Sequence, residues 1–575
     1  MRRQGNRPRA AGRYGSRKRV WAFRALAIAI GLLPWAAAEC WFRYREGRRA
    51  ATADPWGEAS DDEPWASVAG HRPLFRLACV DGGRWVIPEE RMNFFCPASF
   101  AAVKPAGTRR VFVLGGSTTQ GRPFATETSF AAWLELQLRA AAPADRFEVV
   151  NVGGVSYASY RVAGILDEVL GHRPDAIVLY TGHNEFLEEQ SYRATRSSGN
   201  AAADWLASRS ALARRLRRGF AGADSRSGET TRPNPDGSDP VRFAAEVSAR
   251  LDRAGGLRDY RRDPEHWRRI EAEFATTLRR MAGRCREAAV PLVLCVPASD
   301  LVATPPFKVE IDGTLEPPAR DRAERCWEVV EDREASSEAK LRAAWQCLRI
   351  DPGHAGAHYV AGRLLQDRLR RGIPADREDP IATHLRAARD WDVCPLRART
   401  AMEESVRRVA AEFGLPCVDV PALFDERSLS GSRGPDGVPD PEWFVDHVHP
   451  TIHGHQRIAA ALADHFEAIG WIRQTDASRR RYERLAAEHW GSLGEDYFER
   501  GRQRLEGLRR WAAGRSAVPI DAEPDDANIR GDEPADAADS GDRKPPPGDA
   551  GFSAGASRTA RAISHRTGHQ PPHGP

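Results

Sequence analysis

VFVLGGSTTQG, residues Val111 to Gly121, is a short apolar run that stops at two glycines and delivers Ser117 into a polar turn. Four apolar, partly β-branched residues bounded by Gly-Gly fit a buried parallel strand. The Ser117 hydroxyl then lies just past that strand's carboxyl end, the edge at which open α/β sheets bind their ligands. The same letters also suit a strand running into an ordinary helix, because Ser and Thr are common N-caps. Whether Ser117 is a nucleophile or a cap depends on which other residues the chain brings to the same edge.

Outward from this stretch, strands and helices alternate. SFAAWLELQLRAAA carries Phe130, Trp133, Leu134 and Leu138 on one helical face. A strand FEVVNVGG, a helix YRVAGILDEVLG and a strand DAIVLYTG follow, the last ending at Gly182. Glu265 to Ala288 reads as a helix and VPLVLCVP as a fourth strand; helix MEESVRRVAAEFG and strand LPCVDVP complete the fifth. This alternation predicts an α/β fold, a three-layer α/β/α sandwich around a five-stranded, mainly parallel sheet, with a helical insertion.

The main domain is accordingly split into 106–187, 263–300 and 396–470. Residues 188–262 form a polar insertion, partly disordered, since SRSGETTRPNPDGSD has too little apolar surface to order itself. Residues 301–395 are helical, in the phrases AERCWEVVE, SEAKLRAAWQCLRIDP, AGAHYVAGRLLQDRLRRG and IATHLRAARDWD. Their helix, Pro-containing turn and small-residue helix resemble one tetratricopeptide unit, and a protein partner is expected at this TPR-like insertion. Residues 46–105 read as a small strand-rich leader, 471–515 as charged amphipathic helices, and 516–575 as a disordered tail rich in Pro, Asp and Gly.

The formal charge of +5 is local: residues 1–24 hold nine Lys or Arg and no acid, which leaves a net −4 for the rest. A segment follows at 25–45 whose charge-free section, Ala25 to Ala38, is short for a full span and is extended to about 20 residues by Trp and Phe at both ends. It is expected to be an uncleaved transmembrane signal anchor that keeps the basic tail in the cytoplasm and the body outside it; a cleaved signal peptide ending near AAAEC is the competitor. A nucleic-acid-binding arm is not expected, because the apolar segment follows the basic residues at once. The nine cysteines stand singly, without C-x-x-C, which excludes a zinc ribbon or a thioredoxin-type motif. With the body outside the cytoplasm, Cys79 with Cys96, and a pair among Cys326, Cys347 and Cys394, are candidate disulfides.

Three strand ends carry unusual turns: GGSTTQ at Ser117, NVGGVSYASY at 151–160 and TGHNEF at Asn184. Parallel strands place all three on one rim. A serine nucleophile needs a base and donors aimed at the developing oxyanion. The donors are at hand in the Ser117 N–H, an N–H between Gly154 and Ser156, and the Asn184 amide. The base comes after the fifth strand, where Asp446 stands three residues before His449, close enough for its carboxylate to orient the imidazole. Asp446 with His447, His449, His453 and His455 could also invite a metal, but two of these already serve the triad and no further ligand cluster is evident. No metal and no cofactor is expected, and His453 and His455 read as surface residues at a helix start.

On these residues the chain resembles the SGNH hydrolases of the GDSL lipase/esterase superfamily, whose sheet is flavodoxin-like. The match covers the five strands, outside the insertions and the ends. The resemblance implies Ser117, in GGST rather than GDS, as nucleophile; Asn184, in GHNE, as oxyanion donor; and Asp446 and His449, in D-x-x-H followed by Pro450, as the remaining triad members. Block two departs from the family's N-x-x-x-x-G: counted from Asn151, its oxyanion position falls on Ser156, while the glycines stand at 153 and 154. Ser156 is the donor by register, with Gly154 as the alternative. The implied activity is hydrolysis of carboxylic esters through an acyl-enzyme, with O-acetyl groups of an envelope polysaccharide as the expected substrate. An O-acyltransferase with the same triad, or a non-catalytic scaffold on a vestigial hydrolase fold, are the alternatives.

Overall fold

Among the described residues, eight strands in two sheets arise from the apolar runs. The structure, a computed structural model, describes residues 73–78, 83–188, 247–373, 381–425 and 437–513. The basic tail, the expected anchor at 25–45, Cys79, most of the polar insertion and the tail from 516 lie outside the described residues. Among the described residues no helix is long and apolar enough to cross a membrane.

The leader forms an antiparallel sheet of β1 (Arg76–Ala78), β2 (Arg84–Val86) and β3 (Ser99–Ala101). The main sheet holds β4 (Thr108–Gly115), β5 (Arg146–Gly153), β6 (Ala176–Tyr180), β7 (Leu292–Val296) and β8 (Cys417–Asp419) in the order β5-β4-β6-β7-β8, all parallel. Its strands are apolar on both faces, as a sheet covered twice must be. Phe112 and Leu114 point to one core with Val152, Ile177, Leu179 and Leu294. Val111 and Val113 point to the other with Val178, Val293 and Cys295. The three-layer α/β/α sandwich is therefore built from period-two alternation within continuous apolar runs.

Helices α1 (Ser117–Gln120), α2 (Phe130–Ala141), α3 (Ser159–Leu170) and α4 (Pro264–Glu287) belong to the first three β-α repeats, α1 and α2 both following β4. Four helices form the insertion: α5 (Pro317–Glu331), α6 (Ser337–Ile350), α7 (Ala355–Arg370) and α8 (Ile381–Asp390). They have a core of their own around Leu341, Ala344, Cys347, Ala361 and Leu365. After them come α9 (Thr400–Phe413), α10 (Val420–Asp425), α11 (Ile452–Ala468), α12 (Asp476–Ser492) and α13 (Glu495–Ala513).

The leader shares the main core: the Phe100 ring meets Phe112 edge-on, with centroids 5.2 Å apart. Arg110 fastens the two sheets from inside, donating to Glu148 at 2.6 Å and to the Ala101 carbonyl at 2.8 Å. Residues 247–262, at the end of the polar insertion, pack Leu251 and Tyr260 against Phe307, Val393 and Cys394. Cys326, Cys347 and Cys394, one pair of which was expected as a disulfide, are free thiols, as is Cys96. Cys347 lies in the insertion's core and Cys394 in the cluster with Tyr260, while the Cys326 thiol donates to Gln346 at 3.8 Å.

Candidate active site

β4 ends where only glycine fits. A Cβ on Gly115 would stand 2.0 Å from the Tyr180 carbonyl oxygen, and one on Gly116 would stand 2.7 Å from the Asn184 amide nitrogen. The chain next makes the single turn α1, with Ser117 at its head, so the Ser117 N–H has no acceptor within its own turn. Thr119 anchors the turn by donating from its hydroxyl to the Tyr180 carbonyl at 3.1 Å, and Asn151 donates to the Thr119 carbonyl at 2.8 Å. The buried neighbours of Ser117 thus leave its hydroxyl as the accessible group of the turn.

His449 reaches that hydroxyl from the other end of the chain. The Ser117 Oγ to His449 Nε2 distance is 2.8 Å, and the His449 Nδ1 to Asp446 Oδ2 distance is 2.7 Å. An ionised carboxylate only accepts, so Nδ1 carries the imidazole proton and Nε2 is left to accept from the serine. The Asp446 side chain is fixed by its own turn, its Oδ1 accepting from the Val448 and His449 backbone N–H at 2.9 and 2.8 Å. The turn is closed by the bridge between Phe444 and Pro450, and α11 starts at once under its Thr451 cap. Burial alone would raise the Asp446 carboxyl; the facing His449 and His447 and the hydrogen bonds it accepts outweigh this and hold it well below the usual carboxylate range.

The loops that carry the expected donors meet beside this line. In the turn after β5 the Gly153 N–H donates to Asn151 Oδ1, that of Gly154 to the Gly115 carbonyl at 3.0 Å and that of Val155 to the Phe94 carbonyl at 2.8 Å. Gly154 is therefore occupied in joining the two loops. Ser156 has φ 62° and is half-exposed, as are Ser117 and Asn184. A non-glycine residue in the left-handed region is a strained conformation of the kind found at functional turns. The Asn184 amide donates to the Tyr157 carbonyl at 3.0 Å, which sets its plane and keeps its second hydrogen available beside Gly116.

Residues that the sequence reading passed over hold these loops together. Glu185 is fully buried and accepts from the Ser159 N–H at 2.7 Å and the Ser159 hydroxyl at 2.8 Å, tying the Asn184 turn to the head of α3. Burial pushes its carboxyl up to about 7, against the lowering effect of those two bonds. His183 accepts from the Ala398 N–H at 3.2 Å, and burial, with His447, His449 and Arg389 near it, pushes it down to about 3. His447 is pushed down to about 4 by burial, with Asp446 opposing.

His455, expected at the surface, is buried at 2 % exposure, with its Nδ1 3.3 Å from the Phe130 backbone N–H. The reason was visible in the spacing: Ile452, His455, Ala459 and Leu462 share the buried face of α11. His453 is exposed. Among the described residues no group of three or more His, Cys, Asp or Glu could hold a metal ion.

No protein-family model matches the chain, and no curated protein matches it. Among solved structures it is similar to the acetylxylan esterase Axe2 from Geobacillus stearothermophilus, at 15% identity over 65% of this chain and 100% of that one, with a TM-score of 0.28. It is also similar to a lipase/acylhydrolase from Enterococcus faecalis, at 12% identity over 64% and 100%, TM-score 0.27. A third is LAE5, an alpha/beta hydrolase enzyme from the metagenome of Lake Arreo, at 16% identity over 64% and 97%, TM-score 0.27.

Proposed function

We propose that the protein is a serine esterase of SGNH type, with Ser117 as nucleophile, His449 as base and Asp446 as the group that orients it. The observation that carries this reading is the unbroken line Ser117 Oγ, His449 Nε2, His449 Nδ1, Asp446 Oδ2, at 2.8 and 2.7 Å. Oγ attacks the ester carbonyl while its proton passes to Nε2, and the negative charge gathers on the carbonyl oxygen. The N–H groups of Ser117 and Ser156 and the Asn184 amide are the donors for that oxygen. Collapse of the tetrahedral species breaks the bond to the alcohol, which leaves with the proton from His449. Water then repeats the sequence on the acyl-enzyme, giving the acid and free Ser117.

The substrate class we propose is the O-acetyl groups of an envelope polysaccharide, met outside the cytoplasm by a domain that residues 25–45 anchor in the membrane. The basic tail followed by an apolar run supports this placement. The intact triad favours an enzyme over a scaffold. The test is turnover of a short-chain aryl ester, with covalent labelling by a fluorophosphonate probe. Wild-type protein turns over the ester and is labelled; Ser117→Ala and His449→Ala lose turnover by about 10⁴-fold or more. Undiminished turnover in either variant sinks the assignment.

A further inference from the structure

The described residues of the insertion carry an open groove away from Ser117. A groove of about 650 Å³ runs between α5 and α6. Its floor is apolar, made of Val329, Ala339, Ala343 and Ile350 with the Cys326 thiol. Its rim carries Arg322 and Arg325 on α5 and Arg342 and Arg349 on α6, all exposed. α5 also bears Asp321, Glu324, Glu328 and Glu331, yet no carboxylate lines the groove, and among the described residues none of the four arginines stands in an ion pair with one.

Four like charges gathered around an apolar floor raise the local potential without being neutralised from within. Elsewhere on these helices the arrangement is different: Arg368 on α7 is matched by Glu338 at 3.0 Å. Val329, moreover, is one of only five large apolar residues that the described chain leaves exposed, at 40 %. The two helices are held together beneath the groove by the insertion's own core, so the floor is a fixed surface and not a fold waiting to close.

From this geometry we infer that the α5/α6 groove is a docking site for an acidic peptide segment of a partner protein, one in which carboxylates alternate with aliphatic side chains. The carboxylates meet the four guanidinium groups in fork-to-fork pairs, and the aliphatic groups cover Val329, Ala343 and Ile350. An anionic polysaccharide fits less well. Sugar rings want aromatic faces and a dense set of polar groups, whereas no aromatic residue lines the groove and Gln346 is its sole uncharged amide.

The experiment is fluorescence anisotropy of a fluorescein-labelled peptide of alternating glutamate and leucine, titrated with the full-length protein. Saturable binding that weakens as salt rises is the expected result. The double variant Arg342→Gln, Arg349→Gln should weaken it by about tenfold, with hydrolysis of the aryl ester unchanged. Since both side chains are exposed, the helices stay folded, and circular dichroism checks this. The inference is overturned by absent binding, by equal binding of a glutamine-for-glutamate peptide, by indifference to the two substitutions, or by tighter binding of oligogalacturonate. None of these outcomes bears on Ser117, so this inference and the esterase reading fail separately.

Discussion

Ser156 and Asn184 make different demands on the chain, and substitutions separate them. If Ser156 acts through its backbone N–H, Ser156→Gly keeps the donor and suits φ 62° better than serine does. The expected outcome is kcat within a few-fold of wild type and stability higher by about 1 kcal/mol, read from ester turnover and chemical denaturation. Asn184→Ala removes a side-chain donor and should lower kcat by about 10²-fold to 10³-fold. Glu185 gives a pH signature. Its carboxyl rises from 4.5 to about 7 on folding, so the folded state favours its protonated form. The stability it contributes is complete below 4.5 and is lost as pH rises toward 7, by about 3 kcal/mol. Glu185→Gln should be more stable than wild type above pH 7 and lose that advantage near pH 4.5, in denaturant titrations at each pH. Asp446 and His449 were legible in the sequence because their contact is local, a carboxylate reaching three residues along its own turn. Glu185 was not, since its partner Ser159 is 26 positions away, and nothing in the letters of NVGGVS fixes a positive φ at Ser156.

At the level of elements, the helical insertion is rooted behind the site. Asp300 donates its N–H to the His447 carbonyl at 3.0 Å, and the Phe307 ring stands edge-on to His447 with centroids 5.3 Å apart. Arg397, 2 % exposed, binds the Asp300 and Thr304 carbonyls at 2.9 and 2.8 Å and faces Asp392 at 3.6 Å. Arg397→Met leaves Asp392 as a buried carboxylate without its cation. It should cost about 3 to 5 kcal/mol of stability, measured by denaturation, and lower kcat more than it raises KM, since the His447 turn loses its support. The strands and helices of the main sheet could be read from the sequence because a twice-covered parallel sheet demands unbroken apolar runs. The four insertion helices were equally plain. Their attachment was not, because buried Arg397 and Asp392 read as solvated charges until the fold brings them together. The cysteines misled for a related reason: spacing says nothing about which clusters three thiols enter.

Across the whole molecule, acid should be the weak direction. His183 and His455 are held neutral to about 3 and His447 to about 4, in each case chiefly by burial. A histidine whose folded pKa is depressed contributes stability that is complete above its unfolded value, near 6.5, and is lost as pH falls toward the folded one. The expected outcome is a fall in denaturation midpoint that steepens below pH 6.5, with one proton's worth of slope removed by His455→Asn. Unchanged slope in that variant would show that His455 is not held neutral.

Ser117 and His449 are 332 positions apart, with both insertions between them. A ribosome that has released β4, β5 and β6 has made an alcohol with no imidazole beside it, and such an alcohol is unreactive. The nascent chain is thus chemically silent through most of its synthesis. The proposed nucleophile is armed when the turn before α11 docks against the end of β4, so only after both insertions have been made.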